Sequence, residues 1–247
     1  MQKHQFSNGF STNFEYIKTD SAQKQKFTIL YTHGFCSDPW GRKPEEIKKW
    51  CLAHHIPFFR YELAGHGADK ANFEQTDINI WKAQILEIID NIIEGPVLVA
   101  GSSLGGWLSM LAALLRPERI TGLLGLAAAP DFTKDNQAFL TPAQIEEFNQ
   151  KGKVVIPGTG IDFLITKRLV ESGAENLLLE QETLPITCQT VLIQGMQDRS
   201  VDWHKALKIA QKIRSEKVMV KLLKNSNHRL NEDGDIAEIL SALDSFL

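Results

Sequence analysis

Gly101-Ser102-Ser103-Leu104-Gly105 has the residue types and spacing of a nucleophile turn. It follows the apolar run Val97-Leu98-Val99-Ala100 and precedes a helical pattern from about Leu104 to Leu115. A serine in a tight strand-to-helix turn projects its hydroxyl beyond the strand's carboxyl end, and glycine two residues to either side removes side chains that would collide. That spacing selects Ser103 over Ser102. The chemistry available to such a residue is attack on an acyl carbonyl, provided a base is at hand.

Serine is a poor nucleophile at neutral pH, so the base must be positioned. Behind a turn of this kind the partners follow in the order serine, acid, histidine. Of the seven histidines only His204 and His228 lie beyond Ser103. His228 sits in a loop after the last strand pattern and is the preferred base. His204 opens a helical pattern after Trp203, where packing or solvation is its ordinary role. Asp198, just past the strand pattern Thr190 to Gln194, is the preferred acid, able to fix the imidazole tautomer. Asp202 reads as a helix cap, and Asp131 as a less favoured acid. For the oxyanion, the Leu104 amide is one expected donor; the other is the Phe35 amide in Thr32-His33-Gly34-Phe35. His33 and Cys36 precede the nucleophile and are read as structural. Trp40 and Trp107 are the expected substrate-binding aromatics, with Phe132, Phe139, Phe148 and Phe163 as further candidates.

The elements that must position these groups alternate. Strand patterns at Phe27 to Tyr31, Ile56 to Tyr61, Val97 to Ala100, Ile120 to Ala127, Thr190 to Gln194 and Val218 to Leu223 are interleaved with helical ones. The helices are expected over Pro44 to His54, from a cap at Thr76 to Ile92, and over Leu104 to Leu115, Trp203 to Arg214 and Ile236 to Phe246. Alternation of this kind predicts an α/β fold with a mostly parallel central sheet and helices on both faces. From Pro130 to Pro185 the alternation stops. Thr141-Pro142-Ala143-Gln144 is a capping-box start, and a second helix is expected over Ile161 to Ser172. A long insertion with structure of its own reads as a small helical lid. The expected organisation is a core at 1–129 and 186–247 with a lid at 130–185.

Composition narrows the function classes. The chain has 247 residues, 43% hydrophobic and 23% charged, with a net charge of −3. That balance gives no general attraction to nucleic acid, and no basic tract interleaved with aromatics appears. No run reaches the ~18 apolar residues of a membrane span. Cys36, Cys51 and Cys188 are odd in number and widely spaced, suiting neither a disulfide framework nor a zinc site. With the polar start Met1-Gln2-Lys3-His4-Gln5, which lacks the apolar core of a secretory signal, the expected location is cytoplasmic.

With these blocks in order, the chain resembles the α/β-hydrolase superfamily along nearly its whole length. The resemblance rests on His33-Gly34, Gly65-His66-Gly67, the turn at Ser103, Asp198 and His228. It is most similar to the mitochondrial acyl-protein thioesterase branch, whose members remove palmitoyl groups and hydrolyse acyl glucuronides. The matching blocks are Gly101 to Leu108, Gly195-Met196-Gln197-Asp198 followed by Val201 and Trp203-His204, and Ser226-Asn227-His228-Arg229. Two positions depart from that pattern. Gln194 stands where many relatives carry histidine, and Ala64 where arginine often precedes Gly-His-Gly. The resemblance implies hydrolysis of an acyl ester or thioester, the substrate being a small molecule or an acylated protein; the apolar anchors of the insertion lead us to expect medium or long acyl chains. Neither a metal nor an organic cofactor is expected. Carbon–carbon bond hydrolysis by the same triad and a non-catalytic binding role are the alternatives.

Overall fold

The computed structural model describes residues 1–19, 26–138, 140–157 and 162–247. Strands β1 (Gln2–Gln5) and β2 (Ser11–Ile17) open the chain, ahead of β3 (Thr28–Thr32), α1 (Arg42–Ala53) and β4 (Phe58–Tyr61). Then come α2 (Ile78–Glu87), β5 (Val97–Ser102), α3 (Leu104–Leu115) and β6 (Ile120–Leu126). The insertion holds α4 (Phe132–Ala138), α5 (Pro142–Lys151), β7 (Lys153–Ile156), β8 (Phe163–Thr166) and α6 (Lys167–Ala174). The chain closes with β9 (Gln189–Gly195), α7 (His204–Lys212), β10 (Val218–Leu223) and α8 (Asp233–Asp244).

Eight strands form one sheet in the order β1-β2-β4-β3-β5-β6-β9-β10. The β1–β2 and β2–β4 pairs are antiparallel and all others parallel. The alternation of side chains along a strand divides the core in two. Leu30, Val97 and Val99 face one apolar layer with Trp81 and Ile85 of α2 and Leu108 and Leu111 of α3. Ile29, Tyr31, Leu98 and Ala100 face the other, with Ile47 and Trp50 of α1 and Ile239 and Leu243 of α8. The central strands are buried on both faces, which is why they read as continuous apolar runs.

Three local expectations are corrected. The cap of α2 is Asp77, whose carboxylate accepts from the Ile80 amide at 2.9 Å. The Thr76 hydroxyl instead donates to the Phe73 carbonyl at 2.7 Å, a bond that an ionised carboxylate cannot make. The helix expected over Ile161 to Ser172 begins only at Lys167, capped by Thr166, while Ile161 lies outside the described residues. Phe163–Thr166 is a strand paired antiparallel with β7, because the aromatic and branched run Phe163-Leu164-Ile165-Thr166 fits an extended ladder against Val154, Val155 and Ile156. The insertion is therefore helical with a β-hairpin, not purely helical. Its capping box at Thr141 is present, and α5 runs on to a left-handed Gly152 at φ 67°.

The insertion is held at defined points, within itself and against α2. Asp131 accepts the Leu178 and Leu179 amides, one on each carboxylate oxygen, both at 2.8 Å. Ser172 Oγ accepts the Ile78 amide at 3.1 Å, joining α6 to the start of α2.

Candidate active site

Ser103 lies between the last residue of β5 and the first of α3, with φ 54° and ψ −115°. A non-glycine residue in that region is strained by about 1–3 kcal/mol and persists only where its surroundings hold it. Here the Ser103 amide donates to the Leu126 carbonyl at 2.9 Å, and its carbonyl accepts from Gly106 and Ala129 at 2.9 and 3.1 Å. The flanking glycines are steric necessities. A Cβ on Gly101 would lie 2.1 Å from the Gly105 carbonyl oxygen, and one on Gly105 would lie 2.0 Å from that of Thr32.

The turn at Gly34 passes directly against the serine, since a Cβ there would lie 3.3 Å from Ser103 Cβ and 3.9 Å from Oγ. Phe35 is the next residue. Leu104 is the first residue of α3, where amides have no intrahelical acceptor. Both residues expected to supply oxyanion donors therefore neighbour Ser103, Leu104 in sequence and Phe35 by way of Gly34.

Asp198 and His228 come from adjacent loops at the same edge of the sheet, after β9 and β10. His228 Nδ1 is 2.7 Å from Asp198 Oδ2; the aspartate side chain is fully buried and the imidazole 28% exposed. Gly195 lets the loops meet, because a Cβ there would lie 2.2 Å from the Ser226 carbonyl oxygen. Burial raises the Asp198 pKa. The His228 contact and the amides of Ser200 (2.8 Å) and Val201 (2.9 Å) outweigh it and hold the carboxyl below its ordinary range. Gln194 adds a further donor, its Nε2 lying 2.8 Å from the same Oδ2 that faces His228. The sequence shows Gln194 only as a departure in the acid block, and no motif or spacing marks an amide that acts through the folded contact.

The other candidates fall elsewhere. His204 is exposed and pairs with Asp202 at 2.7 Å, and the Asp202 carboxylate also accepts the His204 amide at the start of α7. Both oxygens of Asp131 are taken by the insertion. Cys36 has a half-buried thiol that burial pushes up to about 11, so it is protonated at neutral pH. Trp107 is fully buried and donates to the Asn176 carbonyl at 3.2 Å. Trp40 donates to Glu62 at 3.1 Å beneath the Arg60 guanidinium.

An aromatic cluster surrounds the Phe35 ring. Phe163 of β8 stacks on it at 6.0 Å, and Phe132 of α4 lies at 5.2 Å. Phe73 and Trp81 meet it edge-on at 5.4 and 6.1 Å, and Trp107 backs Phe132 at 5.8 Å. The insertion therefore meets the turn at Phe35 through the Phe132 and Phe163 rings. Phe148 packs on the main core from α5, and Phe139 lies outside the described residues. Among the described residues no group of three or more His, Cys, Asp or Glu is arranged to hold a metal ion. No helix among them is long and apolar enough to cross a membrane.

Comparison with known proteins gives the same grouping. The chain is 32% identical over 222 residues to the mitochondrial palmitoyl-protein thioesterase ABHD10 of Rattus norvegicus, covering 89% of this chain and 74% of the relative. The structure of mouse alpha/beta hydrolase domain-containing protein 10 superposes with a TM-score of 0.88 at 29% identity, over 99% of this chain and 96% of that one. Est1E from Butyrivibrio proteoclasticus, with ferulic acid bound, shares the fold at a TM-score of 0.82 and 16% identity, over 100% and 97% of the two chains. Residues 29–240 match the alpha/beta hydrolase family as a whole, and the chain belongs to that family.

Proposed function

We propose that the protein is a serine hydrolase that cleaves a medium- or long-chain acyl ester or thioester through an acyl-enzyme. The observation that carries this reading is the His228–Asp198 contact, made on a buried carboxylate at the sheet edge where Ser103 turns. Asp198 accepts a hydrogen bond from Nδ1–H of His228, which keeps the proton on that nitrogen and leaves Nε2 as the base for the serine. Ser103 Oγ attacks the acyl carbonyl carbon while His228 Nε2 takes its proton. The Phe35 and Leu104 amides hold the oxyanion of the tetrahedral intermediate. His228 passes the proton to the departing alcohol or thiol as the bond to the acyl carbon breaks. It then draws a proton from water as the water oxygen bonds to the acyl carbon; the bond to Ser103 Oγ breaks, His228 returns the proton to that oxygen, and the carboxylic acid leaves.

Residues 130–185 serve as the lid in this reading. Phe35, Phe132 and Phe163 form the acyl wall, with Trp107 behind them and Trp40 at the rim. The mammalian relatives are named palmitoyl-protein thioesterases, which makes an S-acylated protein cysteine a substrate to test alongside small esters. Cytoplasmic location is our expectation from three unpaired cysteines, and the relatives' mitochondrial naming makes subcellular fractionation its test.

A matched series of esters and thioesters from acetyl to palmitoyl tests the substrate class. kcat/KM rises from acetyl to the medium or long chains. Strict preference for acetyl contradicts the acyl-wall assignment.

A further inference from the structure

Two buried imidazoles that take no part in the proposed proton transfers bridge the oxyanion turn to the loop after β4. His33, on the turn, accepts the Leu63 amide on Nε2 at 3.0 Å, and its Nδ1 faces the Gly34 carbonyl at 2.8 Å. His66, on the other loop, accepts the Cys36 amide on Nε2 at 3.1 Å, and its Nδ1 faces the Ala64 carbonyl at 3.0 Å. The arrangement is reciprocal. Each ring receives a backbone N–H from the opposite loop and donates to a carbonyl of its own. The ring centroids lie 5.1 Å apart.

This pattern dictates protonation. A nitrogen facing an N–H must present its lone pair, and one facing a carbonyl must carry the hydrogen. Both imidazoles are therefore neutral with the proton on Nδ1. A second proton would set N–H against N–H and break the tie. Phe35 lies between the two anchored positions, with Gly34 held by His33 and Cys36 by His66. The second loop is itself braced by α2, through Trp81 Nε1 on the Ala64 carbonyl (2.9 Å) and Gln84 Oε1 on the Ala64 amide (2.9 Å).

We propose that His66, together with His33, is a positioning residue that fixes the Phe35 amide for the oxyanion through this two-imidazole cross-tie. The proposal rests on the reading of Phe35 as an oxyanion donor.

The tie persists across the neutral range. Burial lowers His66 to about 4, against the opposing pull of the Ala64 carbonyl and the Asp69 carboxylate. Burial, with His66 adding to it, lowers His33 to about 3. The charged group facing the pair is Asp69, which is engaged by the Gly65 amide and Asn72. The Cys36 thiol is neutral, and Phe35, Phe73 and Trp81 supply uncharged rings.

Two measurements test the cross-tie. Nitrogen-15 spectra of the wild-type rings, taken from about pH 8 to about pH 5 across the ordinary histidine range, read the tie without reference to turnover. Neutral Nδ1–H tautomers with no titration are expected for both rings. An Nε2–H tautomer, or titration of His66 near its ordinary value, overturns the proposal. Steady-state kinetics on His66→Leu and His66→Gln then read its consequence. His66→Leu lowers kcat about 10- to 100-fold, less than loss of a whole oxyanion donor, with KM within about twofold. His66→Gln, whose carbonyl accepts the Cys36 amide, recovers most of that loss. A folded His66→Leu protein with wild-type kcat overturns the proposal. If that variant does not fold, a His66→Gln kcat as low as that of Ser103→Ala overturns it, and the ring spectra still decide. Failure of the serine reading shows separately, as turnover that survives Ser103→Ala.

Discussion

Ser103 holds a backbone conformation that glycine adopts freely and serine does not. The local strain is offset by the bonds to Leu126, Gly106 and Ala129, and it places the hydroxyl at the end of β5. Ser103→Gly relieves it, so the variant gains about 1 kcal/mol in urea unfolding while losing turnover. A loss of stability contradicts the strain argument. Gln194 acts on the acid from the opposite side, with a neutral amide on the oxygen that faces His228. Gln194→Leu removes that donor and leaves the buried carboxylate with one hydrogen bond fewer, so kcat/KM falls about 10-fold. Unchanged kcat/KM in the folded variant shows that the amide does not hold the acid.

At the scale of elements, the sheet delivers the groups and the insertion shapes what they meet. Strand β8 carries Phe163 onto the Phe35 ring, so Phe163→Ala raises KM for long-chain substrates several-fold and leaves short-chain KM near wild type. An equal change for both classes shows that β8 braces the turn without lining the acyl site. Legibility in the sequence follows burial. β3, β5, β6 and β9 are continuous apolar runs because both faces are covered, and the turn at Ser103 is marked by its glycines. β1 and β2 lie at the antiparallel edge with mixed, half-exposed residues, and nothing periodic announces them. In β8, four residues paired with β7 merge in sequence with the helix that follows. The contacts of Gln194 and His66 were illegible for a different reason. Each partner is a backbone or side-chain atom brought close by the fold, and residue type alone carries no record of it.

For the whole molecule, the consequence of burying two neutral imidazoles is a sloped dependence of stability on pH. His33 and His66 have folded pKa values lowered to about 3 and about 4, against an unfolded value near 6.5. Below about pH 6.5 the unfolded chain binds protons that the folded chain refuses. Stability is thus fully present above that range and falls as pH drops toward the folded values, by up to about 1.4 kcal/mol per pH unit per ring. Asp198 has the same sign at lower pH, its contribution present above the ordinary carboxylate range and lost as pH falls through its depressed folded value. Urea unfolding between pH 7 and pH 5 reads the histidine part. A flat profile over that interval contradicts neutral burial of the pair.

The central claim is that Ser103 is the nucleophile of this alpha/beta hydrolase fold, served by His228 and Asp198. Intact-mass and peptide mapping after reaction with a fluorophosphonate tests it most directly. The account predicts a single adduct on the Ser103 peptide, absent from Ser103→Ala and strongly slowed in His228→Ala. No adduct on the folded wild-type protein, or equal labelling of Ser103→Ala, would contradict it.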